Sequence, residues 1–259
     1  MDLQEEPLLP KKIHSASADT DTTSRWNCCC GRSSPTRTNW SNIDLTARQS
    51  TALNHLKHSI REETYDKENA EHTELWKELW SLLHLDPYPG PIGEHWVGVG
   101  FQQKDPSSDL RGSQLSGLRH LINFVETDPD YCKSVLLEYP LFPFCVAGLN
   151  VSHCLFYHLL LYEKAAVPPY GQLSSTNSRF IIKKGGDRPD LIRFVTMLDT
   201  LGSDQTMQRL YNCAFRAVID AWYTLRAGST KSSDLDLLKF NSQVLPDGWK
   251  QVELSLLER

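Results

Sequence analysis

The chain reads as an all-α protein, a single helical domain behind a disordered N-terminal tail. Three observations predict it. Apolar residues recur at helical spacing along most of the length, and no alternating strand of any length interrupts them. Of the 259 residues, 40% are hydrophobic, which suffices for one sizeable core plus tails. The first 40 residues break the pattern: Ser15 to Ser24 (SASADTDTTS) is small and polar, and buries too little apolar area to offset its ordering entropy. The predicted boundaries are therefore a tail over 1–40 and a helical domain over 41–259.

Each element follows from its apolar stripe. Leu45, Ala52, Leu53, Leu56 and Ile60 mark a first helix, and Leu75, Trp76, Leu79, Trp80 and Leu83 a second. Pro87, Pro89, Gly90, Pro91 and Gly93 then break the chain. The stretch from Trp96 to Leu121 (WVGVGFQQKDPSSDLRGSQLSGLRHL) opens as a loop and runs straight into a helix. Ser113 is its expected N-cap, with Leu115, Leu118, Leu121, Ile122 and Val125 on the buried side. A short segment around 131–139 precedes an apolar run from Phe142 to Leu161. That run carries Pro143, Asn150, Ser152, His153 and His158, so it reads as a buried central helix rather than a membrane span.

A loop rich in Pro, Ser and Gly is expected over 165–187, with Asp187 or a neighbour capping the next helix and Pro189 in its first turn. Leu191, Phe194, Val195, Leu198 and Leu201 form that helix's stripe. Gly202 interrupts it and Ser203 starts another, with Leu210, Ala214, Ala217, Val218, Ala221, Trp222 and Leu225 on one face. Gly228 is expected to end it, and shorter helical pieces follow near 234–240 and 247–257.

Composition narrows the function classes. Lys and Arg number 27 against 32 Asp and Glu, a net charge of −5, which argues against nucleic acid as a partner. Met1 to Lys12 is acidic and has no apolar run, so no secretory signal is read there. The seven cysteines form no repeated C-x2-C pair, so no zinc finger or other metal site is expected, and the compartment reads as reducing and cytoplasmic. His153 and His158 stand at i and i+5, a spacing that does not share a helix face, and are expected as core histidines rather than ligands.

The stretch from Trp96 resembles the signature of the ELMO domain, the engulfment-and-motility family. That signature runs Trp, three residues, Gly-Phe-Gln, three residues, Pro, one residue, Thr-Asp-Phe-Arg-Gly, then a Leu-rich helix. Trp96, Gly100, Phe101, Gln102, Pro106, Asp109, Arg111 and Gly112 match it at the right spacing. Ser108 replaces Thr, Leu110 replaces Phe, and Gln114 stands where the family usually has a second Gly. A second block, Tyr139 to Ser152 (YPLFPFCVAGLNVS), is similar to the family's Pro-Phe-Ala…Asn-Ile-Thr segment through Pro143, Phe144, Asn150 and Ser152. The pairs Leu75-Trp76 and Leu79-Trp80 also fit, and the resemblance covers roughly residues 45–245. Without the extra repeats, PH domain and Pro-rich tail of the long scaffolding members, the chain is expected in the short ELMO-domain-containing subfamily.

That resemblance implies an activator of small GTPases of the Arf and Arf-like class, with Arg111 as the catalytic residue. Such a chain regulates another enzyme and carries no cofactor of its own, since GTP and magnesium belong to the partner GTPase. An arginine offered from outside stabilises charge on the transferring phosphoryl and is worth about 10³–10⁵ in rate. Arg suits this because its fork is planar, always charged and able to make two bonds to phosphate oxygens. Trp96, Phe101, Gln102, Asp109 and Gly112 are the candidate partner-binding residues, with Trp96 and Phe101 either pinning the loop to the core or anchoring the partner, and Asp109 either pairing Arg111 or bonding the loop backbone. The N-terminus of the helix after Arg111 is expected to favour nearby phosphate.

A non-catalytic adaptor that binds a GTPase through the same loop is the alternative. In the tail, Cys28, Cys29 and Cys30 are candidate S-palmitoylation sites, which would add peripheral membrane contact.

Overall fold

The computed structural model describes residues 39–162, apart from 84 and 86, and residues 188–227. The expectations for the tail up to residue 38, for Cys28 to Cys30, for the loop before residue 188, for Gly228 and for the helical pieces beyond it lie outside the described residues.

Within them the chain is all-α, with no strand. The helices are α1 (Ala47–Glu62), α2 (Ala70–Leu82), α3 (Glu94–Gly98), α4 (Gln114–Thr127), α5 (Pro129–Glu138), α6 (Phe144–His158), α7 (Arg188–Leu201) and α8 (Ser203–Ala227). Two 3-10 turns, Trp40–Asn42 and Pro106–Arg111, complete the set. Local chemistry fixes several ends. Thr46 and Gln49 form a capping box that starts α1. Asn69 caps α2, and Asp128 caps α5 with Pro129 in the first turn. Gly202 adopts φ +82° and separates α7 from α8.

The apolar run 142–161 becomes α6, the buried centre of the fold. Of its residues only Asn150 and Tyr157 are part-exposed, because an all-round apolar helix needs partners on every side. Helix α4 packs on it from one direction and α8 from another, while α2 covers α4 and α7 covers α1. No helix among the described residues is long and apolar enough to cross a membrane.

Trp40 corrects the tail boundary. It was placed in the disordered segment, yet its ring is only 8% exposed and its indole N–H donates to the Leu159 carbonyl at 2.9 Å. One large aromatic with a buried hydrogen bond suffices to fix a turn that has no periodicity to announce it.

Histidine 120 sits where α4, α6 and α8 meet. Its Nδ1 lies 3.0 Å from Ser152 Oγ, and its ring centroid lies 5.3 Å from that of Tyr211. Burial pushes its imidazole down from 6.5 to about 4, against a weaker opposing pull from Asp204. The unfolded chain therefore takes up this proton first as pH falls. The contribution of His120 to stability should be constant above about pH 6.5 and decline as pH drops toward 4. Urea midpoints at pH 7 and pH 5 check this: His120→Asn should narrow the gap between them, and an unchanged gap would contradict the assignment.

Candidate functional site

The stretch from Trp96 to Gly112 is more ordered than the loop the sequence suggested. It opens inside α3, the five-residue helix Glu94–Gly98, and closes with the 3-10 turn Pro106–Arg111. Both pieces are too short to show a hydrophobic period.

Aromatic packing holds this segment down. Trp96 is 0% exposed, and its ring meets Trp76 at 5.5 Å, Trp80 at 5.3 Å and Phe101 at 5.6 Å, all edge-on. Its indole N–H donates to the Gly90 carbonyl at 3.2 Å. Phe101 is 3% exposed and also meets Trp76, at 5.7 Å. Of the two roles open to Trp96 and Phe101, pinning the loop to the core or anchoring a partner, the structure places them in the first: both rings face inward, because large aromatics next to α2's own Trp pair gain more by burial than by exposure.

The segment also plugs the start of α6. No side chain caps that helix; instead the Cys145 N–H donates to the Val99 carbonyl at 3.4 Å and the Val146 N–H to the Gly100 carbonyl at 3.2 Å. Gly100 makes this approach possible. Its φ is +94°, and a Cβ there would lie 2.7 Å from the Pro143 carbonyl carbon and closer still to the Phe144 nitrogen. The two sequence blocks that resemble one family thus meet in space at this point.

Asp109 settles between its two expected roles. Its carboxylate accepts the Gln102 N–H at 2.8 Å, which ties the 3-10 turn to the preceding strand of loop. Burial pushes its carboxyl above the ordinary carboxylate range, while the Gln102 bond and the Arg111 charge pull it back. Gln102 itself is exposed. Across the loop, Lys104 pairs with Glu94 at 2.6 Å, and the Gly93 N–H donates to the Lys104 carbonyl at 2.9 Å.

Arg111 ends the 3-10 turn and is exposed. Its side chain makes no hydrogen bond or ion pair with the described residues, although the backbone around it is held on both sides. Leu110 is buried on one side. On the other, the Gly112 carbonyl accepts from His153 Nδ1 at 3.0 Å and from the Tyr162 hydroxyl at 2.6 Å. Gly112 therefore serves by its backbone, with no side chain to block the His153 ring: an added Cβ would lie 3.1 Å from His153 Nδ1. His153 is the core histidine expected, and its bond to the residue after Arg111 joins positions 41 apart, which no local signal reveals. His158 has a different partner, lying 3.4 Å from the Asp190 carboxylate on α7.

The start of α4 departs from expectation. Ser113 occupies the cap position, but its side chain makes no capping bond, and its buried oxygen lies against Gly117. Glu63 caps the helix from outside instead. Its carbonyl accepts the Leu115 N–H at 3.1 Å, and its carboxylate accepts the Ser116 hydroxyl at 2.8 Å and the Ser59 hydroxyl at 2.8 Å. A carboxylate at that end disfavours a second anion there, so Glu63 competes with the phosphate that the sequence suggested for this helix terminus. The exposed cations of the loop are Lys104, which is paired with Glu94, and Arg111.

Gln114 explains itself geometrically. Its φ is +55°, the left-handed region that favours glycine. Gln114→Gly should relieve this strain and raise stability by about 1 kcal/mol, or roughly 2–4 °C in melting midpoint. A lower midpoint would show the conformation to be unstrained.

Comparison with known proteins follows the same segment. The family model of the ELMO/CED-12 family matches residues 55–235. The chain is 27% identical over 185 residues to ELMO domain-containing protein C of Dictyostelium discoideum, covering 71% of this chain and 27% of that protein. It is 38% identical over 80 residues to ELMO domain-containing protein 1 of Mus musculus, covering 30% of this chain and 24% of that one. It is 32% identical over 110 residues to ELMO domain-containing protein 2 of Homo sapiens, covering 40% and 37%. The chain thus aligns with well under half the length of each of these relatives. No solved structure matches. With a family model spanning most of the helical domain and both motif blocks meeting at one site, the chain belongs to the ELMO/CED-12 family.

Proposed function

We propose that this chain activates GTP hydrolysis by a small GTPase of the Arf or Arf-like class, inserting Arg111 at the bound nucleotide. The observation that carries the reading is an exposed guanidinium, without a partner among the described residues, on a backbone braced by Leu110 and Gly112. Membership of a family tied to GTPase signalling supports the choice of partner. The GTPase supplies nucleotide, magnesium and the water-orienting residue; Arg111 adds charge stabilisation in the transition state. Because the aromatic rings face inward, Gln102, Lys104 and Arg111 form the polar surface of the loop that a partner meets. The proposed setting is the cytoplasm or the cytoplasmic face of a membrane.

The test is a panel of purified Arf and Arf-like GTPases loaded with GTP, with phosphate release followed in the presence and absence of the full chain. Faster release with at least one member supports the reading, and no stimulation of any member ends it.

The start of α4 favours a second reading. With Glu63 seated at that helix end, one expected phosphate-binding element is weakened. A non-catalytic adaptor would need none. In that case the chain binds a GTPase without changing its hydrolysis rate, and Arg111→Lys leaves the binding intact.

A further inference from the structure

The residues that hold Arg111 come from far along the chain, and their geometry suggests more than packing. Tyr162 lies beyond the end of α6, 50 positions from Gly112, while His153 lies on α6 itself. Their polar atoms converge on one carbonyl oxygen. The Tyr162 hydroxyl donates to it at 2.6 Å, His153 Nδ1 stands at 3.0 Å, and the two donors are 2.7 Å from each other. A carbonyl can only accept, so His153 bonds it when Nδ1 carries the imidazole proton, and Nδ1 also lies within hydrogen-bond reach of the Tyr162 hydroxyl. Burial keeps this imidazole below its ordinary value, so it is neutral near pH 7. The Tyr162 ring packs against both His153, at 5.4 Å, and Phe156, at 5.9 Å.

A backbone carbonyl at the end of a helical turn can be satisfied by water, by a side chain or by a neighbouring turn. This one takes two side-chain donors, and it belongs to the residue directly after the arginine. We infer that Tyr162 and His153 are positioning residues, which lock the Gly112 peptide so that the Arg111 side chain leaves the turn in one fixed direction. The inference rests on the proposed role of Arg111 and specifies how that site is built. Fixing the backbone while leaving the guanidinium unpaired keeps the arginine from spending its charge on its own chain. It also lowers the ordering needed when a phosphate is met.

Two readouts test this. Tyr162→Phe removes a single hydroxyl from a ring whose packing remains, so the fold should survive. With a GTPase that responds to the wild-type chain, Tyr162→Phe should lower the maximal stimulated rate about tenfold. The concentration needed for half-maximal effect should stay constant. His153→Leu should act in the same direction, and His153→Asn, whose amide nitrogen can replace Nδ1, should restore most of the rate.

The second readout needs no GTPase. Backbone order at Arg111 and Gly112, measured by nitrogen-15 relaxation, should fall from about 0.85 toward 0.6 in Tyr162→Phe. If no GTPase responds to the wild type, the proposed function fails and the relaxation measurement alone decides the clamp. Unchanged order at Arg111 and Gly112 overturns the inference. So does lost order with an unchanged maximal rate, or a rate loss that appears only as weaker half-maximal binding.

Discussion

Arg111→Ala should abolish stimulated GTP hydrolysis, lowering the maximal rate by about 10³–10⁵ toward the GTPase's own rate. At about 1.4 kcal/mol per decade this is roughly 4–7 kcal/mol of transition-state stabilisation. Stability should hardly move, because the side chain is exposed and makes no bond to the described residues. Arg111→Lys discriminates further. Lysine keeps the charge but loses the planar fork, so a two-bond contact with phosphate oxygens is lost and most of the gain goes with it. Single-turnover phosphate release, alongside thermal melts of each variant, measures both effects. A rate within a few-fold of wild type for the alanine variant would remove Arg111 from the chemistry.

The largest effect on stability should come from Gly100→Val. A side chain at φ +94° is strained wherever it stands. Here it would also drive into the backbone of Pro143 and Phe144. The loop must then lift from the start of α6 and weaken the bonds from Cys145 and Val146 that replace that helix's missing cap. Backbone strain, overpacking and two weakened hydrogen bonds together come to roughly 3–5 kcal/mol. Gly98→Ala is the matched control, since an added Cβ there meets nothing within 4 Å. Chemical denaturation should separate the two variants widely. Equal midpoints would mean that the loop does not dock on α6 as described.

Most of the helices could be read from the chain because they obey a period. The stripes of α1, α2, α4, α7 and α8 each place four or more apolar residues on one face, and Gly202 marks the break between the last two. The central run gave α6 by a different sign, apolar residues on all sides. Helix α3 and the turn at Pro106 stayed hidden, since five or six residues cannot show a repeat of 3.6.

The site was legible only in part. The family resemblance singled out Arg111, and the residues around it offered Asp109 two roles, of which the structure selects the backbone bond. For Trp96 and Phe101 it left core anchor and partner contact both open, because a motif aromatic looks the same in either place, and burial selects the core. Nor could the sequence supply Glu63 at the start of α4, or Tyr162 and His153 at Gly112. Those contacts join positions 41 to 53 apart, and only tertiary packing creates them. Gln114 is the instructive middle case. Its departure from the resembling motif was visible in the sequence, and the positive φ supplies the reason a glycine suits that place.

The central claim is that Arg111 binds the transition state and not merely the GTPase. An activator that works this way is complementary to the reacting phosphoryl. The decisive measurement compares affinity for the GTPase carrying GDP and aluminium fluoride, which mimics that state, with affinity for the same GTPase carrying a non-hydrolysable GTP analogue. The wild-type chain should prefer the first by about tenfold or more, and Arg111→Ala should bind both alike. Equal affinity of the wild-type chain for the two forms would contradict the account.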